Sequence, residues 1–173
     1  MNTNKRIAFV TGGAKGIGAE VCTRLASLGH HVIVADLDFD SAAATASDLQ
    51  KAGGQASAIA IDVGKPESIA AAFAQVELDY GRCDILVNSA GIAKVFPFID
   101  FPLDNFLATM NVNVTGTLLC SQAAARLMLK QGWGRINNIA SAHALVASPF
   151  KSAYVAAKHG VMGFTKTVAL EVA

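Results

Sequence analysis

The sequence predicts a single α/β domain built on a parallel, doubly wound sheet with strand order 3-2-1-4-5. Two observations carry this. Short apolar runs alternate with longer segments of helical period, and that alternation implies right-handed β-α-β crossovers. The composition agrees: of 173 residues 53% are apolar and 16% charged. The excess lies in Ala, Val, Ile and Gly, which suits strands buried on both faces. A chain of this length makes one domain, 1–173, with a sizeable core. No linker, internal repeat or low-complexity tract interrupts it.

The elements follow in order. RIAFVT (6–11) is the first strand, and a helix over 16–28 is stopped by Gly29. HVIVAD (31–36) is the second strand. An Ala-rich helix over 40–52 runs into Gly53 and Gly54. QASAIAID (55–62) is the third strand. Pro66 suits a first helical turn and opens a helix over 66–80, with Gly81 just past its end. CDILVN (83–88) is the fourth strand. A long helix covers 103–131, and RINNIAS (135–141) is the fifth strand, which Ser141 ends. The last helix begins at Ser152. KTVALEVA then stops inside a helical pattern with no stop signal, so the chain is expected to continue.

Several classes are disfavoured. A net charge of +1 without a Lys/Arg cluster offers no field for nucleic acid. MNTNKRIAFV turns to glycines before a signal-peptide core develops, and no apolar run is long enough to span a bilayer. Cys22, Cys83 and Cys120 match no metal spacing, so no metal is expected. They read as buried thiols of a reducing cytoplasm.

The first strand runs directly into TGGAKGIG. Gly12, Gly16 and Gly18 make a strand-to-helix turn of minimal bulk, with Lys15 and Ile17 between them. Backbone N–H groups and a helix N-terminus can then face a pyrophosphate. Asp36 ends the second strand. A carboxylate there can accept hydrogen bonds from both ribose hydroxyls of an adenosine and repels a 2′-phosphate, which favours NAD over NADP. Lys15 pulls the other way, because a cation in the loop could meet a phosphate. Asp62 and Val63 could meet the adenine, or Asp62 could cap the helix that follows. Asn88, Ala90 and Gly91 close the fourth strand. The small residues leave room for a cofactor; Asn88 could equally lock the sheet ends.

Tyr154 and Lys158 stand four apart on a helix, so they share a face. A free phenol is a poor base at neutral pH, and a neighbouring ammonium favours its phenolate. Such a pair can pass a proton to or from an alcohol oxygen. Ser141 lies thirteen residues earlier and can hydrogen-bond the same oxygen.

TGGAKGIG, NSAG, YVAAK and the Ser141-to-Tyr154 spacing together resemble the short-chain dehydrogenase/reductase family, over essentially the whole chain. The resemblance implies a Rossmann fold, a nicotinamide cofactor and hydride transfer to or from a carbonyl or secondary alcohol. It implies Tyr154 as acid/base, Lys158 as the group that supports it and holds the nicotinamide ribose, and Ser141 orienting the substrate oxygen. Asn113 in MNVNVTG matches the asparagine that holds a relay water, and Asn111 competes for that role. NSAG stands where the family has NNAG. The resemblance implies further strands and a substrate-covering segment past the last helix, so the sequence is expected to be part of a longer protein or a truncated form that binds NAD without turnover. Family members also pair their two long apolar helices into dimers and tetramers, and TGTLLCSQAAARLML and the last helix are apolar nearly all round. A homo-oligomer is expected.

SAHALVASPFKSAYVAAKHG is similar to the corresponding segment of D-3-hydroxybutyrate dehydrogenases. That likeness implies His143 and Lys151 as ligands of a substrate carboxylate; alternatively His143 caps a loop and Lys151 is solvated. The group carries a Gln where this chain has Ala93, and Lys94 could supply a replacement charge. A polyol dehydrogenase and a 3-oxoacyl reductase stay open. A pure NAD-binding module is disfavoured, since a binder needs no proton relay.

Overall fold

The computed structural model describes residues 5–172. The first residues of the stretch read as no signal peptide, and the final residue at the unstopped end, lie outside them.

Five parallel strands form one sheet: β1 (Ile7–Thr11), β2 (His31–Asp36), β3 (Gln55–Ala60), β4 (Ile85–Asn88) and β5 (Arg135–Asn138). Their spatial order is β3-β2-β1-β4-β5, the order expected from the sequence. The described residues form six α-helices, which flank the sheet on both sides: α1 (Gly16–Ser27), α2 (Phe39–Lys51), α3 (Pro66–Tyr80), α4 (Leu103–Met110), which packs on α6 rather than on a strand, α5 (Gly116–Gln131) and α6 (Ser152–Glu171).

Alternation along the strands divides the core. Phe9, Ile33 and Leu86 point to the face covered by α3 and α5, where Phe9 stacks on Phe73 at 4.7 Å. Val10, Val34 and Val87 point to the opposite face and meet Cys22, Ala42 and Leu49 of α1 and α2. The central strands are thus apolar on consecutive residues, as in sheets buried on both sides.

Local signals explain the helix ends. The Asp38 carboxylate accepts the Ser41 N–H at 3.1 Å and caps α2. Pro66 occupies the first turn of α3, and Gly81 ends it in the left-handed region at φ +64°.

Three sequence-based boundaries are corrected. β3 stops at Ala60, not Asp62, because the chain turns at Asp62, whose carboxylate accepts the Gly64 N–H at 2.9 Å. β5 stops at Asn138, not Ser141. Beyond it Ser141 caps a 3₁₀ turn, Ala142–Ala144, by accepting the His143 N–H. The helix expected over 103–131 is divided by a π-helical turn, Asn111–Thr115. There the Asn113 amide donates to Thr109 O at 2.9 Å and to Ile92 O at 2.8 Å. A side chain inserted in the ladder widens the turn.

At the amino ends of the strands Asp84 is fully buried. Its carboxylate accepts from the Ile7 N–H at 2.8 Å, from the Arg82 guanidinium, from Arg6 and from Gln131 Nε2. All three cysteines are free and buried, and burial pushes each thiol up to about 12. Among the described residues, no helix is long and apolar enough to cross a membrane.

Candidate active site

The strand register sets up the site. Thr11 pairs with Asn88, and Asn88 with Asn138, so β1, β4 and β5 end level with one another. A cleft of about 690 Å³ opens above these carboxyl ends, where the strand order reverses and such sheets bind ligands.

Thr11 is buried, and its Oγ1 accepts the N–H groups of Ser89 and Ala90 at 3.1 and 3.2 Å. This draws the chain leaving β4 onto the glycine turn. Gly12 sits at φ +64°, and a Cβ there would lie 2.9 Å from the Ala90 backbone. A Cβ on Gly18 would run into the Gly12 carbonyl. Glycine is therefore required at both positions. Gly12, Lys15, Ile17 and Gly18 line the cleft, and Gly16 opens α1 behind them.

Asp36 lines the same end of the cleft. Its carboxylate accepts the Ala14 N–H and the Asp38 N–H, both at 3.1 Å, and so is fixed against the glycine turn. Lys15 ion-pairs with Asp38 at 3.1 Å. The Asp38 carboxyl is drawn down to about 2, chiefly by the hydroxyl and amide of Ser41 and also by Lys15. The loop cation expected to pull toward a phosphate thus has a carboxylate beside it. Asp62 and Val63 line the cleft as well; Asp62 also shapes its own turn and pairs with Lys65 at 3.6 Å.

Four side chains converge at the other end. Ser141, Tyr154, Lys158 and Asn113 all line the cleft. Tyr154 and Lys158 lie one turn apart on α6, with Lys158 Nζ 5.6 Å from the phenol ring centre. Lys158 is 6% exposed and donates to Ile139 O at 2.6 Å. Burial holds its ammonium below the usual lysine range. Asn113 is 1% exposed, and its Oδ1 is buried without a hydrogen-bond partner. A Cβ on Gly91 would lie 2.6 Å from that Oδ1 and 3.9 Å from Lys158 Nζ, so Gly91 keeps the approach to both open. Asn111 instead donates to Gly64 O at 2.7 Å.

Asn88 stands below the cleft. Its amide donates to Ser121 Oγ at 3.0 Å and to Asn138 Oδ1 at 2.8 Å, and Asn138 donates to Thr165 Oγ1 at 2.9 Å. This chain ties β4 and β5 to α6, the helix that carries Tyr154 and Lys158. Sequence reasoning missed Thr11, Ser121, Asn138 and Thr165. Their only sequence signal is a polar residue where an apolar strand or helix face is expected.

The expected substrate residues lie outside the cleft lining. Lys94 is exposed in the loop after β4, Lys151 precedes α6, and His143 lies between Ser141 and Ser148. The Phe96 N–H donates to Phe150 O at 3.0 Å, which joins the loop of Lys94 to the segment of Lys151. Ala93 does line the cleft.

The sequence and the fold are similar to those of known proteins. The short chain dehydrogenase family matches residues 6–173, and the chain belongs to that family of oxidoreductases. It is 44% identical over 172 residues to the D-beta-hydroxybutyrate dehydrogenase of Rhizobium meliloti, covering 97% of this chain and 66% of that protein. It is 40% identical over 166 residues to the D-threitol dehydrogenase of Mycolicibacterium smegmatis, covering 96% of this chain and 64% of that one. The crystal structure of sorbitol-6-phosphate 2-dehydrogenase SrlD from Erwinia amylovora superposes with a TM-score of 0.91 at 38% identity, over 95% of this chain and 65% of that one. The chain thus spans just under two thirds of the length of these relatives.

Proposed function

We propose that the chain is the nucleotide-binding and proton-transfer part of an NAD-dependent dehydrogenase acting on a secondary alcohol or ketone, with a small 3-hydroxy acid such as 3-hydroxybutyrate as substrate. One observation carries the reading. Ser141, Asn113, Tyr154 and Lys158 meet in the same cleft that begins at the glycine turn and Asp36.

The cleft fits a dinucleotide on three counts. Cβ atoms at Gly12 and Gly18 would collide with backbone, so the turn keeps its amides uncovered. Asp36 is held where a ribose would meet it. A buried orphan acceptor, Asn113 Oδ1, and a buried ammonium wait at the far end. Gly12, Ile17, Gly18 and the α1 N-terminus would hold the pyrophosphate, Asp36 the adenosine ribose, Asp62 and Val63 the adenine, and Lys158 and Tyr154 the nicotinamide ribose. Ala90 and Gly91 leave room alongside, and Asn88 serves by locking the sheet. When bound, the nicotinamide supplies the hydride acceptor for an alcohol, or the donor for a ketone.

The chain's own residues handle the proton. In the oxidative direction the Tyr154 phenolate takes the hydroxyl proton of the alcohol, and Ser141 donates a hydrogen bond to the same oxygen. Lys158 supports the phenolate by its charge, through space. Asn113 Oδ1 accepts from a water that returns the proton to solvent. Because burial lowers Lys158, its charge is lost earlier than a free lysine's as pH rises.

NAD is favoured over NADP because Asp36 would repel a 2′-phosphate and Lys15 is engaged by Asp38. Lys151, three residues before Tyr154 in the chain, and the hydroxybutyrate dehydrogenase relative support a 3-hydroxy acid, with Lys94 as a further charge. A polyol substrate is the second reading. It rests on Ala93, which has no side-chain donor for a carboxylate, and on the threitol and sorbitol-phosphate relatives. Exposed Leu129 and Leu170, on α5 and α6, support a homo-oligomer built on these helices. Buried free thiols suit a cytoplasmic protein.

A substrate panel with NAD and NADP tests the reading. 3-Hydroxybutyrate with NAD is expected to be turned over, with NADP much slower. Turnover of polyols with 3-hydroxybutyrate ignored would favour the second reading.

A further inference from the structure

We propose that Ser148 is a positioning residue. It fixes the tautomer of His143, and His143 in turn aims the Ser141 hydroxyl proton into the cleft. The inference rests on the reading of Ser141 as a donor to the substrate oxygen.

Three half-buried side chains form a line. Ser141 Oγ lies 3.2 Å from His143 Nδ1, and His143 Nε2 lies 2.7 Å from Ser148 Oγ. Ser141 Oγ also accepts the His143 backbone N–H at 3.1 Å. The imidazole stands edge-on to the Tyr154 ring at 5.8 Å, with the planes at 73°. Both ring nitrogens are therefore engaged, and the ring is braced against the phenol that acts beside Ser141.

A neutral imidazole has one N–H and one lone pair. The line can run in only two directions. In one, Ser148 donates to Nε2 and Nδ1–H donates to Ser141 Oγ. Ser141 then accepts twice, from Nδ1–H and from the backbone N–H, and both its lone pairs are used. Its own proton has nowhere to go but the cleft. In the other, Nε2–H donates to Ser148, and Ser141 spends its proton on Nδ1. No donor is then left for a substrate oxygen.

The chemistry of an alcohol or ketone selects the first direction. Charge develops on the substrate oxygen during the reaction, and a donor already aimed there costs no reorganisation. Ser148 sustains that direction, because its hydroxyl donates to Nε2 once the ring proton sits on Nδ1. Alanine cannot donate, while threonine keeps a hydroxyl at the same place. This assigns His143 to Ser141 and not to a substrate carboxylate.

The test has two arms on the same protein. The first is ¹⁵N NMR of the histidine rings, with His143 assigned by its loss in His143→Gln. Wild type is expected to show the Nδ1–H tautomer, and Ser148→Ala to move toward Nε2–H. The second is steady-state kinetics. Ser148→Ala is expected to lower kcat about tenfold, the weight of one orienting hydrogen bond, with KM little changed. Ser148→Thr is expected to restore both the tautomer and kcat. A wild-type Nε2–H tautomer, an unchanged kcat in Ser148→Ala, or a Ser148→Thr as slow as Ser148→Ala would overturn the proposal. If wild type turns over nothing in the substrate panel, the dehydrogenase reading fails, while the tautomer of His143 is still read by NMR.

Discussion

Replacing Tyr154 by phenylalanine is expected to lower kcat by about 10²–10⁴-fold, the range a positioned proton-transfer group contributes, and to leave dinucleotide binding nearly intact. The change deletes one oxygen and keeps the ring. The ring's edge contact with His143 survives, as does the packing of Lys158 and its bond to Ile139 O. What disappears is the only phenol lining the described cleft. Turnover measured beside NADH fluorescence titration separates the two effects. A variant that binds and turns over like wild type would remove Tyr154 from the mechanism. A variant that neither binds nor turns over would make the tyrosine structural.

Asp84→Ala has the largest expected effect on stability, a loss of about 3–5 kcal/mol. The carboxylate is fully buried at the end of the sheet away from the cleft, and four partners point at it. Arg82 can regain water on removal, since its side chain is 42% exposed. The Ile7 N–H and the Gln131 amide have less recourse, and each orphaned buried donor costs about 1–3 kcal/mol. Denaturant unfolding checks the value; for a chain of this size it corresponds to a Tm lower by roughly 10 °C. Burial alone would raise the Asp84 carboxyl, but the hydrogen bonds from Arg82 and Ile7 and the charges of Arg82 and Arg6 hold it below the usual range. A folded value below the unfolded one makes the contribution complete above the ordinary carboxylate range. It is lost as pH falls through the folded value. The deficit of the variant should therefore narrow in acid. A deficit constant with pH would mean that packing, and not the charge, is at stake.

The parallel, doubly wound sheet was legible because buried parallel strands announce themselves as unbroken apolar runs between helical segments, and its order is the common dinucleotide-binding one. The glycine turn was legible because Gly12 and Gly18 answer to backbone collisions that no other residue escapes. The convergence of Tyr154 and Lys158 was legible from helical spacing alone. Other features were not, for physical reasons. The π turn at Asn111–Thr115 leaves the apolar period of its helix almost undisturbed, because a side-chain amide and not a proline or glycine opens the ladder. Strand β5 reads as longer than it is, since the apolar Ile139 and Ala140 follow Asn138, where pairing stops. The pairing of Lys15 with Asp38 joins residues 23 positions apart and needed the fold to bring them together. The polar ties of Asn88, Asn138 and Thr165 are tertiary in the same sense.

The central claim is that one cleft brings a nicotinamide dinucleotide and the Tyr154–Lys158 pair together. Crystals of the protein grown with NAD test it most directly. The account predicts the adenosine ribose on the Asp36 carboxylate and the nicotinamide ribose on Lys158, with the ring beside the Tyr154 hydroxyl. A dinucleotide seated elsewhere, for example in the groove between α5 and α6, or bound with its nicotinamide turned away from Tyr154, would contradict it.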